Sequence, residues 1–195
     1  GTNWTASPSS AIGANAGDST AFGIQTAAVL CMGSSSPTTA VKDYDGSTWT
    51  AGNATPIQMA SSSGNGIETA GLVYTGSAFT TSQSLAYNGS SWTSAGALIA
   101  GRSRAAEAVG APSTAALFFG GDNPSSTEHT STYGYDGTSW STRPNMATAR
   151  RGLGGAGINT ASLAFAGYTG TADTAVSEEF TGQTETITAR TLTSS

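Results

Sequence analysis

The chain has 195 residues and a formal net charge of −5, and 10% of its residues are charged, against roughly 25% in an ordinary globular domain. A single lysine and six arginines give no basic stripe that could neutralise phosphates, which argues against nucleic-acid binding and attachment to anionic membranes. Aromatic residues at regular positions argue for a packed fold and against a disordered chain. No apolar run approaches the roughly 20 residues of a membrane helix, so we expect no membrane insertion.

Turn residues divide the chain into short predicted strands that fall into four similar groups, with strands named A to D in chain order. The first group has strands at 19–24, 28–33 and 40–44 followed by Trp49, and the second has strands at 58–67, 71–76 and 82–87 followed by Trp92. The third has strands at 104–111, 115–120, 130–135 and 139–142, and the fourth has strands at 151–158, 162–167 and 174–180. The fold class is therefore all-β.

One hairpin motif recurs in the first three groups, as Tyr44-Asp45-Gly46-Ser47-Thr48-Trp49, Tyr87-Asn88-Gly89-Ser90-Ser91-Trp92 and Tyr135-Asp136-Gly137-Thr138-Ser139-Trp140. Asp-Gly and Asn-Gly favour tight hairpins because these residues tolerate positive φ. The four tryptophans, at 4, 49, 92 and 140, are separated by 45, 43 and 48 residues. A propeller blade has a period of about 40 to 50 residues. The repeat predicts a four-bladed β-propeller, with an open or intermolecularly closed array as the alternative.

The fourth group lacks its tryptophan, because Glu185 stands five residues after Phe180 where the other groups have Trp. The missing residue is found at the N-terminus, where Asn3-Trp4-Thr5-Ala6-Ser7 matches Thr48-Trp49-Thr50-Ala51-Gly52. We therefore expect an N-terminal strand at 2–7 to close the last blade as its strand D, which would remove an open sheet edge.

These boundaries predict one propeller over residues 1–182, followed by a β-prone C-terminal tail at 183–195. The predicted blades cover 8–52, 53–96, 97–143 and 144–182, the last together with strand 2–7. The tail could compete for the strand D position, lie outside it, or reach a neighbouring molecule. A homo-oligomer, if one forms, is expected to form through this tail.

Strand A consists mostly of small residues, as in the segment from Gly152 to Gly157, which would permit a narrow propeller axis. On strand A of the third group, Arg104 and Glu107 could line the axis as an ion pair. The single cysteine, Cys31, lies in an apolar run, so we expect a buried structural thiol and no intrachain disulfide.

The order of an apolar strand, a Gly doublet, Tyr-Asp, Trp, and then Met and Arg before the next copy resembles the kelch repeat. Phe118-Phe119-Gly120-Gly121, Tyr135-Asp136, Trp140, Met146 and Arg150 carry the resemblance best. The Gly doublet is intact only at Gly120-Gly121, and the Tyr-to-Trp spacing of five is a residue short. The pattern covers essentially the whole chain and implies a kelch-like propeller.

Some segments of the fourth group make the resemblance more specific. Notable among them are Met146-Ala147-Thr148-Ala149-Arg150 and Glu178-Glu179-Phe180-Thr181-Gly182. They are similar to uncharacterised kelch-like proteins of marine tailed phages. This resemblance implies a viral protein on the virion surface, with other virion proteins as partners.

Chemistry-bearing residues are sparse, so we expect no enzyme, no cofactor, no metal site and no catalytic residue. His129 is the only histidine and has no Cys or His partner at zinc-site spacing, so a solvated loop histidine is the expectation. Glu178 and Glu179 are adjacent on a strand and point to opposite faces, one to solvent and one between blades. Asp43-Tyr44-Asp45-Gly46 lacks the longer calcium-loop pattern and is interpreted as a hairpin turn.

Candidate ligand-contact residues are expected on the propeller face where the B–C loops and D–A connections lie, since variable loops on a rigid frame commonly bind ligands. Phe79, His129 and Tyr168 lie in predicted B–C loops rich in Ser, Thr and Asn. Such residues suit contact with a host-surface glycan or protein. The predicted function is a phage adhesion or receptor-binding module of the tail or fibre. Capsid decoration and a generic protein-interaction propeller are the alternatives.

Overall fold

The computed structural model describes residues 3–10, 19–31, 33, 38–74, 82–123 and 125–182 of the chain. These residues form no helix, and their fifteen strands make four antiparallel sheets arranged as a four-bladed β-propeller. The all-β class and the four blades predicted from the repeat are therefore confirmed.

The strands follow one another in chain order within each blade, so that each blade is a simple meander. Blade 1 contains β1 (Thr20–Ile24), β2 (Ala27–Cys31), β3 (Val41–Tyr44) and β4 (Trp49–Ala51). Blade 2 contains β5 (Ser63–Ile67), β6 (Ala70–Tyr74), β7 (Gln83–Tyr87) and β8 (Trp92–Ala97). Blade 3 contains β9 (Ala106–Glu107), β10 (Leu117–Phe119), β11 (Thr132–Tyr135) and β12 (Trp140–Arg143). Blade 4 contains β13 (Gly154–Ile158), β14 (Ala161–Phe165) and β15 (Ser177–Thr181).

The hairpin between the last two strands of blades 1, 2 and 3 is built in the same way each time. The side-chain Oδ1 of Asp45, Asn88 or Asp136 accepts hydrogen bonds of 2.7 to 3.0 Å from the backbone N–H groups two and three residues later. The glycines that follow, Gly46, Gly89 and Gly137, have φ values of 92°, 90° and 93°. Glycine adopts this region without steric cost. The tight hairpins predicted from Asp-Gly and Asn-Gly are confirmed.

The first strands of neighbouring blades pack closely together, with β5 between β1 and β9, and β9 against β13. A Cβ atom on Gly155 would lie 2.3 Å from the carbonyl oxygen of Glu107 in the neighbouring blade. The Gly110 N–H donates to the carbonyl of Gly157 at 2.9 Å. The small residues of strand A are therefore required by close approach of the blades.

Aromatic pairs join blade 3 to blade 2, and blade 2 to blade 1. In blade 3, the ring centroids of Tyr135 and Trp140 are 5.1 Å apart, and Trp140 meets Tyr74 of blade 2 edge-on at 5.1 Å. The equivalent pair of blade 2 lies 6.4 and 6.3 Å from the ring of Phe22 in blade 1. Such aromatic contacts contribute about 0.5–1.5 kcal/mol each beyond their buried area. The aromatic residues of the repeated hairpin thus also form the contacts of blades 2 and 3 with the blades before them.

The N-terminal segment differs from its prediction. Residues 3–10 form no strand, the Trp4 side chain is fully exposed, and blade 4 has three strands among the described residues. The segment lies beside blade 1, where the hydroxyl groups of Ser7 and Tyr44 are 3.0 Å apart. The repeat assigns Trp4 to a blade that precedes blade 1, but a local pattern does not determine which sheet edge the strand reaches. The tail at 183–195 lies outside the described residues.

Two details of strand A in blade 3 also differ from the prediction. The strand shortens to Ala106–Glu107. It begins late because Arg104 has a φ of 53°, and it ends early because the Ala111 N–H closes a turn on the carbonyl of Ala108 at 2.9 Å. Arg104 pairs with Asp122 and does not pair with Glu107, so the predicted axial ion pair is wrong. The carboxyl of Glu107 interacts with Ser63 of blade 2 instead.

Candidate functional site: an arginine and tyrosine surface on the loop face

The loops between the second and third strands of a blade pair with the connections between blades. The bridge partners are Thr38 with Met59, Ser103 with Asp122, and Arg151 with Tyr168. Both kinds of loop therefore lie on one side of the propeller, as predicted, and we call this side the loop face. The hairpin turns at the ends of β3, β7 and β11 occupy the opposite side.

Gly120 and Gly121 position the centre of the loop face in blade 3. Their φ values are 69° and 82°. A Cβ on Gly120 would lie 2.8 Å from the carbonyl oxygen of Arg150, and a Cβ on Gly121 would lie 2.6 Å from that of Ser103. The glycine doublet therefore lets one loop run between the two connections that flank blade 3. It also turns the next residue, Asp122, inward.

Asp122 is the buried centre of a charged network. Its carboxylate is 1% exposed and forms ion pairs with Arg104 and Arg151, the second at 3.3 Å. The Arg104 Nε also donates to Asp122 Oδ1 at 3.2 Å. The Arg104 side chain remains 44% exposed, whereas that of Arg151 is 23% exposed. A buried carboxylate thus holds two guanidinium groups at the surface.

Arg151 connects this network to Tyr168 in blade 4. Its guanidinium carbon lies 4.9 Å from the centroid of the Tyr168 ring, within the range of a cation–π contact. The backbones of the two residues exchange hydrogen bonds of 3.0 and 2.9 Å. Arg151 Nε also lies 3.4 Å from the Glu128 carboxylate. Both side chains are therefore held in place by the surrounding loops.

An open depression of about 430 Å³ lies beside this pair. Arg104, Arg151, Tyr168 and Asp173 line it, together with backbone at Gly167. The guanidinium of Arg104 is a charge-assisted donor for carboxylate groups, and an aromatic ring offers an apolar surface to a sugar or side chain. The depression therefore has the donors and the apolar area that recognition of an acidic, hydroxyl-rich ligand requires.

The three contact residues predicted from the sequence differ in where the structure places them. Tyr168 lines the depression, and His129 lies in the adjoining loop of blade 3, where its backbone N–H donates to Gly121 at 2.9 Å. The His129 ring is half-buried, and within the described part of the chain its Nε2 has no hydrogen-bond partner. Burial and the charge of Arg102 lower the pKa of His129, so the ring is neutral at pH 7. Phe79 lies outside the described residues.

The carboxylates near the loop face are engaged in structural contacts. Arg150 is fully buried and donates to Glu178 at 2.9 Å, and Glu178 also accepts hydrogen bonds from the backbone N–H groups of Ala147 and Thr148. Glu179, on the other side of the strand, is exposed. The prediction of one solvent-facing and one inter-blade carboxylate is confirmed.

The Asp45 carboxylate accepts hydrogen bonds within its own hairpin turn. Backbone N–H groups of Thr48 and Ser47 donate to it and lower its pKa, which supports the turn interpretation. Among the described residues, no group of three His, Cys, Asp or Glu side chains is placed to hold a metal ion. Within the same residues, no helix is long and apolar enough to cross a membrane.

No family model matches the chain. No curated protein matches it significantly either. The kelch-like and phage resemblances therefore stay predictions, and the four-bladed propeller rests on the repeat and the structure.

Sequence reasoning paired Arg104 with the wrong acid and missed Arg151 and Asp122, which form the centre of this surface with it. A signal was present, because four of the six arginines fall in the two connections that flank blade 3, at 102, 104, 150 and 151. Arginines that recur at the same place in successive repeats indicate a shared position on one face. Asp122, the acid that pairs with Arg104 and Arg151, follows the glycine doublet, which is found in one repeat alone.

Proposed function

We propose that this protein is a non-enzymatic surface module of a phage virion, which adheres to its target through the loop face of blades 3 and 4. The observation that carries the proposal is the exposed Arg104 guanidinium beside Tyr168, both fixed on a rigid propeller frame. Binding residues commonly occupy loops that a rigid scaffold positions. The proposed setting is the tail or a fibre, with other virion proteins as neighbours.

The proposed ligand is a host-surface glycan or protein that carries carboxylate groups. Three features support this choice: the guanidinium donor, the aromatic ring and the shallow open form of the depression. Catalysis is not proposed, because Asp122 and Glu128 are ion-paired with arginines and Glu178 is bound to Arg150 and backbone N–H groups. These carboxylates are committed to holding the loops together.

The experiment compares binding of wild-type protein and Tyr168→Ala to an array of bacterial surface glycans and to purified host envelope protein. We expect binding of the wild type to carboxylate-bearing ligands and a loss of about tenfold or more for Tyr168→Ala. Val109→Ala is the matched control, because Val109 is exposed in the turn of blade 3 on the opposite side. It should bind like the wild type.

Two outcomes would redirect the proposal. Binding to assembled capsids alone would favour the capsid-decoration alternative, and binding to unrelated proteins alone would favour a general interaction propeller. Release of soluble fragments from a polysaccharide by the purified protein would contradict the non-enzymatic function.

A further inference from the structure

Blades 1 and 4, the first and last blades of the chain, each bury one sheet face more completely than the other. In blade 4, Ser162 and Ala164 are buried on the side of blade 3, whereas the alternating residues Leu163 and Phe165 are 37% and 39% exposed. Glu179 is the cross-strand partner of Leu163 and is exposed on the same side. We call Leu163, Phe165 and Glu179 the blade 4 end face.

Blade 1 shows the complementary arrangement. Val29 and Cys31 are fully buried on the side of blade 2, whereas Leu30 and its cross-strand partner Lys42 are half-buried on the other side. Tyr44 is half-buried on that same side. We call Leu30, Lys42 and Tyr44 the blade 1 end face.

Positions equivalent to these faces meet inside the propeller, in the contact between blades 2 and 3. Leu72 and Tyr74 of β6 correspond to Leu163 and Phe165 of β14 and belong to a buried cluster. The same cluster includes Ala86 and Tyr133, which hold the positions of Glu179 and Lys42 relative to the hairpin aromatic residue. The two end faces are therefore the two halves of a contact that the chain already makes between its inner blades.

The groove between blades 3 and 4 holds a second incomplete contact, a cavity of about 270 Å³. Its lining residues Phe119, Thr132 and Phe180 hold the positions that Tyr74, Ser84 and Tyr135 hold one blade earlier. Those earlier residues surround the indole of Trp140, through ring contacts with both tyrosines and a hydrogen bond to Ser84. The cavity is thus the binding position for a tryptophan on a fourth strand of blade 4.

Trp4 is the residue that fits this position. Trp49, Trp92 and Trp140 each stand 14 residues before the first strand of the next blade, and Trp4 stands 16 residues before β1. Trp4 therefore belongs to the blade that precedes blade 1. Its segment lies at the blade 1 end face, where it contacts Tyr44, and its side chain is fully exposed.

We propose that copies of this chain associate head to tail, with the blade 1 end face of one copy on the blade 4 end face of the next. The N-terminal segment of the first copy then adds the fourth strand to β15 of its neighbour and places Trp4 in the cavity beside Phe180. Heterologous contacts of this kind close into rings or continue as filaments, according to the rotation per copy.

Charge complementarity supports the pairing of these two faces. The blade 4 end face carries Glu179, and the blade 1 end face carries Lys42, the only lysine of the chain. The salt bridges of the described residues involve neither side chain. Because the positions equivalent to them share one cluster between blades 2 and 3, docking brings the two charges together.

The test is sedimentation of the full chain over a hundredfold range of concentration, with four test samples and one control beside the wild type. The test samples are Trp4→Ala, Glu179→Lys, Lys42→Glu, and an equimolar mixture of the two charge-reversed chains. Wild-type mass should rise with concentration in whole multiples of the chain, and each single variant should weaken association by about tenfold or more. The mixture should recover association, because alternation of the two variants places opposite charges at positions 179 and 42 in every contact. Val109→Ala, on an exposed turn, is the control and should associate like the wild type.

Two results would overturn the proposal. If the wild type stays monomeric at every concentration and its fluorescence shows that Trp4 is buried, the ring closes within one chain. Association that survives Trp4→Ala and both charge reversals would place the contact elsewhere, and loss of that association on removal of residues 183–195 would assign it to the tail.

Discussion

The indole Nε1 of Trp140 in blade 3 donates a 3.1 Å hydrogen bond to the hydroxyl of Ser84 in blade 2. Ser84 in turn donates to the carbonyl of Gly96 at 2.8 Å. Both side chains are buried, so the bond satisfies polar groups that would otherwise be costly to desolvate. A residue of the repeated hairpin thus fastens its own blade to the preceding one.

The four tryptophans should therefore differ in their effect on stability although they occupy equivalent repeat positions. Trp140→Ala should reduce the free energy of unfolding by about 3–5 kcal/mol, because it opens a cavity and leaves Ser84 without this donor. Trp49→Ala should cost less than half as much, since Trp49 is only half-buried in blade 1. Urea unfolding followed by circular dichroism measures both values. Equal losses for the two variants would contradict the assignment of blade contacts.

Glu107 should make the protein less stable at neutral pH than at acid pH. Burial raises the pKa of this carboxyl, although a hydrogen bond with Ser63 opposes the effect. Because the folded pKa exceeds the unfolded one, stability from this group is full below about pH 4 and is lost as pH rises through the folded pKa. Glu107→Gln should raise the urea midpoint at pH 7 and change it little at pH 3.5. An equal change at both pH values would refute this pH dependence.

The aspartates of the hairpin turns should stabilise the protein more at neutral pH than at acid pH, which is the opposite of the effect of Glu107. Backbone N–H groups lower the pKa of Asp45 and Asp136, so the stability they contribute is present above about pH 4 and is lost as pH falls through the folded pKa. Asn88 makes the same bonds without a titrating group. The double variant Asp45→Asn/Asp136→Asn should therefore lose less stability between pH 5 and pH 2 than the wild type. Asp173→Asn, on an exposed loop, serves as the control.

Cys31 should be unreactive in the folded protein. Burial, with the nearby Asp43 carboxylate, raises the pKa of the thiol to about 12, so that very little thiolate forms at pH 8. Iodoacetamide at pH 8 should leave the native chain unmodified and should label it once in denaturant, as measured by intact mass. Rapid labelling of the native chain would show that the contact between blades 1 and 2 is open.

The blades and their hairpins could be predicted from the sequence because their determinants are local. Asp136 and Gly137 bring the side-chain acceptor and the positive φ that the turn needs, and Tyr135 and Trp140 stand at its two ends. The same pattern recurs in each repeat, so the period also indicates the number of blades.

The charged network around Asp122 and the position of Trp4 could not be predicted, because both depend on residues that are distant in the sequence. Asp122 is buried by loops from two other parts of the chain, and Arg104 leaves its strand through a positive φ that arginine rarely adopts. Trp4 is assigned to a blade by its repeat, but the edge that it reaches depends on how the end faces of blades 1 and 4 are covered.

Ligand binding at the loop face, the central claim, is tested most directly by hydrogen–deuterium exchange of the protein with and without a glycan that it retains on the array. We expect slower exchange at residues 125–130 and 166–174, with no change in the hairpin turns at 45–48, 88–91 and 136–139. Protection confined to those hairpin turns, with residues 166–174 unchanged, would contradict binding at the loop face.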